Sequence, residues 1–446
     1  MHGDFYQDWD KNLEEAGYLM KTAGQKFPLL KTITVNGRYF QNSGSTLVQE
    51  LAFSLASANE YLAGLTDKGL TVDAIAPGIM LSLAVGSNYF MEIAKLRAAR
   101  LLWARMAGQY HPAGEKPLRI FIHATSALWN KSIYDPYVNM LRTTTEGMSA
   151  AIGNADSVSI QPFNITYQEP DDFSSRIAFN QQLILKQESY LDKIADPAGG
   201  SYYIEKLTHS IAHHAWDLFR EVESRGGMIA CIRSGFIQDT VDQSRRHKEM
   251  DIAQRKTVVL GTNQFPNVNE TMAEKIRPAG KQDPAQPSAY KKLTPFRGSS
   301  AFEEVRLATE AHVKKGNKRP LVFLFTMGNL AMLRARAGFT SNFFGCAGYD
   351  ILDNQGFATV DEGVAAAVDS GADIVVFCGG DDDYIGIVPE AAPKLKGAGK
   401  GKYIVVAGYP KDHIEAFVSA GVNDFIHVRS NLLETLRDFQ KRLGIL

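Results

Sequence analysis

Asp196-Pro197-Ala198-Gly199-Gly200-Ser201-Tyr202-Tyr203-Ile204-Glu205 separates two long helical patterns, and the fold is read outward from it. Pro197 disfavours helix at Asp196, and Gly199-Gly200 can take backbone angles closed to other residues, so the chain must stop one helix, turn hard and start another. Tyr202, Tyr203 and Ile204 are expected to anchor the turn against a core, with Ser201 or Thr208 as a cap for the helix that follows. The plain reading is a buried corner.

Upstream of this corner, strand and helix patterns alternate. Thr32-Ile33-Thr34-Val35 reads as a short strand ended by Asn36-Gly37. Thr46-x-x-Gln49 is a capping box opening a helix over 46–66, whose apolar stripe runs through Val48, Leu51, Ala52, Leu55, Tyr61 and Leu62. Strands at 79–85, 118–123 and 157–161 alternate with helices over 88–105, 136–152 and 172–194, and helices over 204–224 and 239–255 follow the corner. Residues 1–30 are polar and mixed, with Trp9 and Tyr18 as expected contacts. Alternation of this kind means parallel strands joined by right-handed crossovers. Four such units in about 200 residues suit half of an eight-stranded barrel.

Residues 261–299 change character, with Pro266, Pro278, Pro284, Pro287 and Pro295 among Asn, Gln, Lys and Ser, as expected of an irregular linker. After a helix over 300–314 come near-continuous apolar strands at 321–325, 350–352, 373–377 and 402–406, with a short one at 424–428. Helices over 361–369, 388–396, 411–419 and 431–443 separate or flank them. That pattern describes a doubly wound parallel sheet of flavodoxin type. The expected organisation is therefore α/β throughout: a partial barrel over 1–260, a linker over 261–299 and a flavodoxin-like domain over 300–446.

Composition excludes several classes of function. The 446 residues carry 48 basic and 49 acidic side chains, a formal charge of −1, which makes no electrostatic case for nucleic acid or an anionic membrane as partner. Cys231, Cys346 and Cys378 are far apart and form no Cys-x-x-Cys, so neither a disulfide framework nor a thiolate zinc site is indicated, and a reducing compartment fits. The start, Met1-His2-Gly3-Asp4, lacks a basic segment before an apolar core, and no run of about 18 apolar residues occurs, so the cytoplasm is the default location. His209, His213 and His214 have zinc-like spacing on a helix but no intervening Glu and no third ligand, so a solvated helix face is the plain reading. Asp381-Asp382-Asp383 could hold Mg²⁺ at a strand end, yet a polar loop capping the next helix is the simpler account. Gly226-Gly227 reads as a turn, and no metal site is expected.

The run at 196–205 resembles the Asp-Pro-x-Gly-Gly-Ser-Tyr-Tyr-x-Glu signature of the methylmalonyl-CoA mutase family. The likeness extends to Gln49-Glu50, to the block from Glu92 to Arg105 and to the C-terminal domain. It implies a TIM barrel carrying an acyl-CoA site, joined by a wrapping linker to a flavodoxin-like domain that holds adenosylcobalamin. It also implies that this chain starts near the middle of the barrel. A chain starting there leaves a strand edge and apolar faces uncovered, and is expected to self-associate when alone.

The departures from the family carry the functional reading. Where the resemblance calls for Ser-Gly-Tyr-His-Ile-Arg, the chain has Asn36-Gly37-Arg38-Tyr39-Phe40-Gln41, placing Tyr39 where the imidazole belongs. The family's Phe-Asp-Glu becomes Phe163-Asn164-Ile165, and Ile165 cannot accept the hydrogen bond made by the Glu. His123 and Thr125 match a His-Thr-Gln-Thr strand end whose Gln is lost. In the C-terminal domain, the cobalt-ligating Asp-x-His-x-x-Gly loop becomes Thr326-Met327-Gly328-Asn329-Leu330-Ala331, and no histidine lies between His312 and His413. The Ser-x-Leu element is replaced by the run beginning Cys378-Gly379, and the family's Gly-Gly by Gly408-Tyr409. The resemblance thus implies degenerate catalytic positions Tyr39, Gln41, His123, Thr125 and Ile165, and degenerate cofactor positions Thr326, Gly328, Asn329, Cys378, Gly379 and Gly408. It points to the small, non-catalytic subunits of the family's heterodimeric members. Adenosylcobalamin would then sit on a large catalytic partner, and acyl-CoA would bind only in the holoenzyme. Alternative readings are a catalytic acyl-CoA mutase with altered ligands and a stand-alone flavodoxin-like binding module.

Overall fold

The computed structural model describes residues 8–27, 29–277, 288–398 and 403–446. The expectations for Met1-His2-Gly3-Asp4, for Pro278, Pro284 and Pro287 and for Lys402 lie outside those residues. The chain divides into two compact units that interleave in sequence. One takes the described residues of Met1–Lys131, Pro136–Lys248 and Arg277–Arg297; the other takes those of Ser132–Asp135, Glu249–Ile276 and Gly298–Leu446. Expected boundaries at 260 and 300 therefore differ from the observed ones: the strap after 261 is shared out, and 249–260 group with the second unit.

In the first unit the elements run α1 (Trp9–Lys26), β1 (Ile33–Asn36), α2 (Arg38–Asn42), α3 (Leu47–Asp67), α4 (Val72–Ile75), β2 (Ile79–Val85), α5 (Tyr89–Gly108), β3 (Phe121–Ser126), α6 (Val138–Ile152), β4 (Ser157–Ser159), α7 (Asp172–Leu183), α8 (Tyr202–Ser224), α9 (Gly227–Ser234) and α10 (Phe236–Ala253). The four strands pair in parallel and in chain order, β1-β2-β3-β4, with Ile33 opposite Ile79, Met80 opposite Phe121 and His123 opposite Ser157. Central strand β2, Ile-Met-Leu-Ser-Leu-Ala-Val, is buried along nearly its whole length, as a strand covered on both faces must be. Helices α3, α5 and α8 close over it, burying Leu51, Leu55, Ala98, Trp103, Ile211 and Phe219 in one core. The capping box forms as read: Gln49 N–H donates to Thr46 Oγ1 at 3.2 Å, and Thr46 N–H to Gln49 Oε1 at 2.8 Å.

Second-unit elements are α11 (Ser300–Lys314), β5 (Leu321–Thr326), α12 (Leu330–Gly345), β6 (Asp350–Leu352), α13 (Val360–Asp369), β7 (Ile374–Cys378), α14 (Asp381–Ala398), β8 (Tyr403–Ala407), α15 (Ile414–Ala420), β9 (Asp424–Ile426) and α16 (Leu432–Arg442). All its pairings are parallel, in the order β6-β5-β7-β8-β9. Phe325, Phe377, Val388 and Leu395 lie in the core between this sheet and its helices. All three cysteines are free and buried. No helix among the described residues is long and apolar enough to cross a membrane.

Several expectations change. Residues 9–26 form a helix, opened by the Asp8 carboxylate accepting from Lys11 N–H at 3.0 Å; Trp9 packs on Tyr61 at 5.1 Å, whereas Tyr18 points to solvent. The expected helix over 172–194 is α-helical only to Leu183; one π turn, Ile184–Glu188, ends it. The strand expected at 157–161 stops at Ser159, and α12 and α9 were not expected at all. Gly226 and Gly227 both take positive φ; the turn between α8 and α9 is Arg225-Gly226, and Gly227 already opens α9. Asp381-Asp382-Asp383 is no loop: it is the first turn of α14, which runs through Pro389 and Pro393 instead of starting at 388. Carboxylates suit a helix N-terminus, where they face unpaired N–H groups.

Candidate functional site

At the C-terminal ends of the first sheet, Gly37 lets the chain turn from β1 into α2. A Cβ there would lie 2.3 Å from Ser54 Oγ and 2.8 Å from Leu83 Cδ2, so only glycine permits the approach. The turn delivers Arg38 and Tyr39 to a cavity of about 310 Å³ whose wall also includes Thr125, Gln161 and Ile165. Three of the five expected positions, Tyr39, Thr125 and Ile165, thus meet in one pocket. His123 and Gln41 do not line it. Both nitrogens of His123 face hydroxyls: Nδ1 lies 2.7 Å from Ser157 Oγ, and Nε2 lies 3.1 Å from Thr125 Oγ1. Burial, and then the Arg38 charge, hold this imidazole below its ordinary range, so it is neutral. Gln41 is buried, and its Oε1 has no hydrogen-bond partner among the described residues.

No carboxylate, thiol or imidazole lines the pocket, which leaves hydroxyls, amides and one guanidinium. Such a set can hold a polar ligand but offers no group suited to exchanging protons near neutral pH. Arg38 and Gln161 were missed as lining residues. The signal for Arg38 was its place beside Tyr39 in the same short run.

The first unit also holds a buried ionic triad. Lys95 Nζ, on α5, donates to Glu50 Oε2 and Ala84 O, each at 2.6 Å, and is ion-paired with Glu92 Oε2 at 2.6 Å. Glu50 Oε1 accepts from Ala84 N–H at 2.7 Å, and Glu92 Oε1 from Gly86 N–H at 3.0 Å. Burial pushes the Glu50 carboxyl up, whereas the two carboxylates outweigh burial at Lys95 and raise it, so the ammonium stays charged. The Gln49-Glu50 pair that carries part of the family likeness is therefore a helix cap followed by a buried ion partner.

The run at 196–205 is a clamp. Asp196 sits at φ +44° and Gly200 at +79°. Arg97, on α5, donates from Nε and Nη2 to the two Asp196 oxygens at 2.9 and 3.0 Å, and from Nη2 to Glu205 Oε1 at 2.8 Å. Gly200 N–H donates to the same Glu205 oxygen at 3.0 Å. Contrary to expectation, Tyr202 and Tyr203 are 95% and 58% exposed and anchor nothing in the core; Ile204 alone of the three is buried. Ser201 is the N-cap residue but makes no side-chain cap bond, and Thr208 lies inside α8. Charge fastens this corner together with a small apolar contact, in which Ala198 and Ile204 pack with Ile93 and the Tyr203 ring meets Phe90 edge-on at 5.7 Å.

The Arg97 bond, and secondarily the Gly200 N–H, hold the Glu205 carboxyl down to about 2 from its ordinary 4.5. A depressed carboxyl contributes stability above its unfolded value and loses it as pH falls through the folded one. That contribution should fade between about 4.5 and about 2. Arg97→Met is expected to remove this acid dependence and to speed amide exchange in the first turn of α8, read by hydrogen–deuterium exchange across the acid range. Unchanged exchange at residues 201–208 would refute the clamp.

In the second unit, the six expected cofactor positions gather at the C-terminal ends of β5, β7 and β8, where side chains of the chain itself close the space. Asp383 Oδ2 accepts from Asn329 N–H at 2.9 Å and Gly380 N–H at 3.0 Å. Gly328, at φ +100°, passes so close that a Cβ would sit 2.2 Å from that oxygen. Asn329 caps α12, accepting from Ala331 and Met332 N–H at 3.1 and 3.2 Å. Thr326 Oγ1 bonds Asn354 Oδ1. Cys378 Sγ lies 3.5 Å from Thr340 Oγ1, and burial pushes its thiol up to about 12. Gly379 N–H donates to the Tyr384 hydroxyl at 2.9 Å, and a Cβ at Gly408 would come 3.0 Å from Arg336 and Asp381.

His213 pairs with Asp217 at 3.1 Å on the open face of α8, as a solvated helix face would. Among the described residues, no group of three or more His, Cys, Asp or Glu could hold a metal ion.

A family profile described as methylmalonyl-CoA mutase matches residues 2–323. A protein of Porphyromonas gingivalis named methylmalonyl-CoA mutase small subunit is 46% identical over 425 residues, covering 95% of this chain and 68% of that protein. The small subunit of Streptomyces virginiae is 34% identical over 418 residues, covering 94% and 66%. The protein named large subunit in the same organism is 35% identical over 293 residues, covering 66% and 40%. The chain spans about two thirds of the length of the small subunits it matches.

Proposed function

Because the chain belongs to the methylmalonyl-CoA mutase family, we propose that it acts as the small, structural subunit of a heterodimeric mutase that interconverts succinyl-CoA and methylmalonyl-CoA. The large subunit carries the catalytic site and the adenosylcobalamin, and acyl-CoA binds only in the assembled enzyme. The observation that carries this reading is Gly328. It stands at the third place of the six-residue loop where the family has its imidazole, and Asp383 fills the space a side chain there would need. The residues around it do not suit cobalt ligation, so no step is assigned to the cofactor on this chain. Tyr39 and Ile165, in a pocket without a titratable acid or base near neutrality, support the same view of the first unit.

The finer architecture is part of the proposal. Four parallel strands in chain order are what half of an eight-stranded barrel would supply. In the second sheet the first strand lies between the second and third, the order of flavodoxin-like domains. A large and a small subunit, both similar to this chain, are named in one organism, which supports a heterodimer. Three buried free thiols suit a cytoplasmic setting.

Co-expression with the large subunit tests the assignment. The chain is expected to co-purify with it, and by itself to turn over no succinyl-CoA when adenosylcobalamin is supplied. Turnover by the isolated chain would favour a catalyst with altered ligands, and failure to co-purify would favour a stand-alone module.

A further inference from the structure

The connection from β3 to α6 makes an excursion. The chain leaves the first unit after Lys131, spends Ser132–Asp135 in the second and returns at Pro136. Within the second unit this tongue is gripped by one face of α11, on which Glu303, Arg306 and Glu310 recur at helical spacing and are all buried. Ile133 N–H donates to Glu303 Oε1 at 2.8 Å, and the Tyr134 hydroxyl to Glu310 Oε1 at 2.7 Å. The Arg306 guanidinium carbon lies 4.0 Å from the centre of the Tyr134 ring. Burial, and then the bond to Glu310, push the Tyr134 phenol above its ordinary range, so it remains a donor near neutral pH.

Two of these side chains hold the strap as well. Glu310 Oε2 accepts from Met272 N–H at 3.0 Å and from Ala273 N–H at 2.8 Å. Arg306 Nη2 donates to the carbonyl oxygens of Asn267 and, at 2.8 Å, of Glu270. Glu270 closes the circuit: its Oε2 accepts from Asp135 N–H at 2.6 Å, where the backbone turns left-handed at φ +49°.

We infer that Ser132–Asp135 is a latch, through which the β3–α6 connection, the charged face of α11 and the strap over 267–273 open only together. Withdrawing the tongue alone strips donors from Glu303 and Glu310 and the ring from Arg306, and a buried charged group deprived of its partner costs more than the bond itself is worth. Freeing the strap alone does the same to Glu310 and Arg306 and unpins Asp135. Each partial opening is therefore penalised relative to the full one, which hydrates all these groups at once, and that is the condition for one cooperative opening unit. Thr125 and Ser126, in the wall of the pocket that holds Tyr39, precede the tongue by a few residues, so a local change at that wall lies within reach of the strap. The latch stands whether or not the subunit assignment does.

Hydrogen–deuterium exchange on the full chain tests it, read in peptides covering 131–137 and 270–274, with peptides from β2 and β7 as references. In the unmodified chain, the slow amides of the two segments are expected to show protection equal to within about fivefold, and lower than that of β2 and β7. Tyr134→Phe removes only the hydroxyl that Glu310 accepts from, and is expected to speed exchange in both segments by the same factor, about tenfold or more. Glu303→Ala takes the acceptor from Ile133 N–H alone among the bonds named, yet should speed 270–274 as much as 131–137. Neither variant should change β2 or β7. Protection that differs by more than about fivefold between the two segments of the unmodified chain would overturn the latch. So would a variant that speeds the tongue and leaves the strap unmoved, or one that speeds every segment alike, which would mean that these residues open only with the whole fold. If Glu303→Ala does not fold, the comparison within the unmodified chain and the Tyr134→Phe result decide between the same outcomes.

Discussion

Replacing Lys95 with Met is expected to destabilise the first unit by about 3–5 kcal/mol at pH 8, because two buried carboxylates lose the cation that compensates them. Against a typical total of roughly 5–15 kcal/mol, that is a large fraction of what holds a domain folded. The pH dependence carries the diagnostic sign. Burial already raises the Glu50 carboxyl, and removing Lys95 takes away the Coulombic contribution that opposes the rise. A carboxyl raised in the folded state contributes stability that is lost as pH increases, so the deficit of the variant should shrink on acidification from pH 8 toward pH 5. Thermal unfolding of parent and variant across that range measures it. The triple variant Glu50→Gln/Glu92→Gln/Lys95→Met, which removes the charges together, should regain most of the loss. A Lys95→Met protein within about 1 kcal/mol of the parent at pH 8 would show that the triad is solvated or otherwise compensated.

Gly328→His is the second substitution with a large expected effect, and it asks whether the missing imidazole can simply be put back. The backbone there, at φ +100°, is closed to ordinary side chains, and strain of this kind costs of order 1–3 kcal/mol. The new Cβ must also push Asp383 off the two N–H groups it accepts from, and hydrogen bonds to a charged group are worth about 1.5–3 kcal/mol each. A loss of about 3 kcal/mol or more follows, with no gain of tightly held hydroxocobalamin on a desalting column. Gly328→Ala should lose nearly as much, since the Cβ alone makes the contact. Adding Asp383→Gly should relieve the crowding without creating a ligand site. A Gly328→His protein that keeps the parent's melting temperature and retains corrinoid would overturn both the steric account and the assignment of the cofactor to the partner.

The sequence was most legible where one physical signal dominated. β2 and the capping box of α3 carry a continuous apolar run and a paired Thr/Gln, and both lie where those signals place them. Elements were missed where signals compete. In α14, Pro389 and Pro393 argue against a helix that the three aspartates at its start favour. In α12, Leu333, Ala337, Thr340 and Phe344 are spaced as a helical stripe, but the run before it reads as a lost ligand loop and not as a helix start. Tyr202 and Tyr203 misled because an aromatic pair suggests burial, while the decisive partner, Arg97, is about a hundred residues away. Of the candidate site, the convergence of Tyr39, Thr125 and Ile165 was legible through resemblance. The Asp383 plug against Gly328 was not, because contacts between separate loops leave no local pattern in the chain.

The clamp at 196–205 also bears on how chains of this kind are recognised. Its three charged members, Arg97, Asp196 and Glu205, tie one helix to the next, and none of them lines the pocket that holds Tyr39 and Ile165. Any sequence that must fasten these two helices in this way is under pressure to keep Asp196, Gly200 and Glu205 of the run, whether or not it turns over a substrate. A search pattern built on them therefore gathers chains by a shared joint, and sorting workers from scaffolds among its hits requires the residues at strand ends that the pattern does not contain.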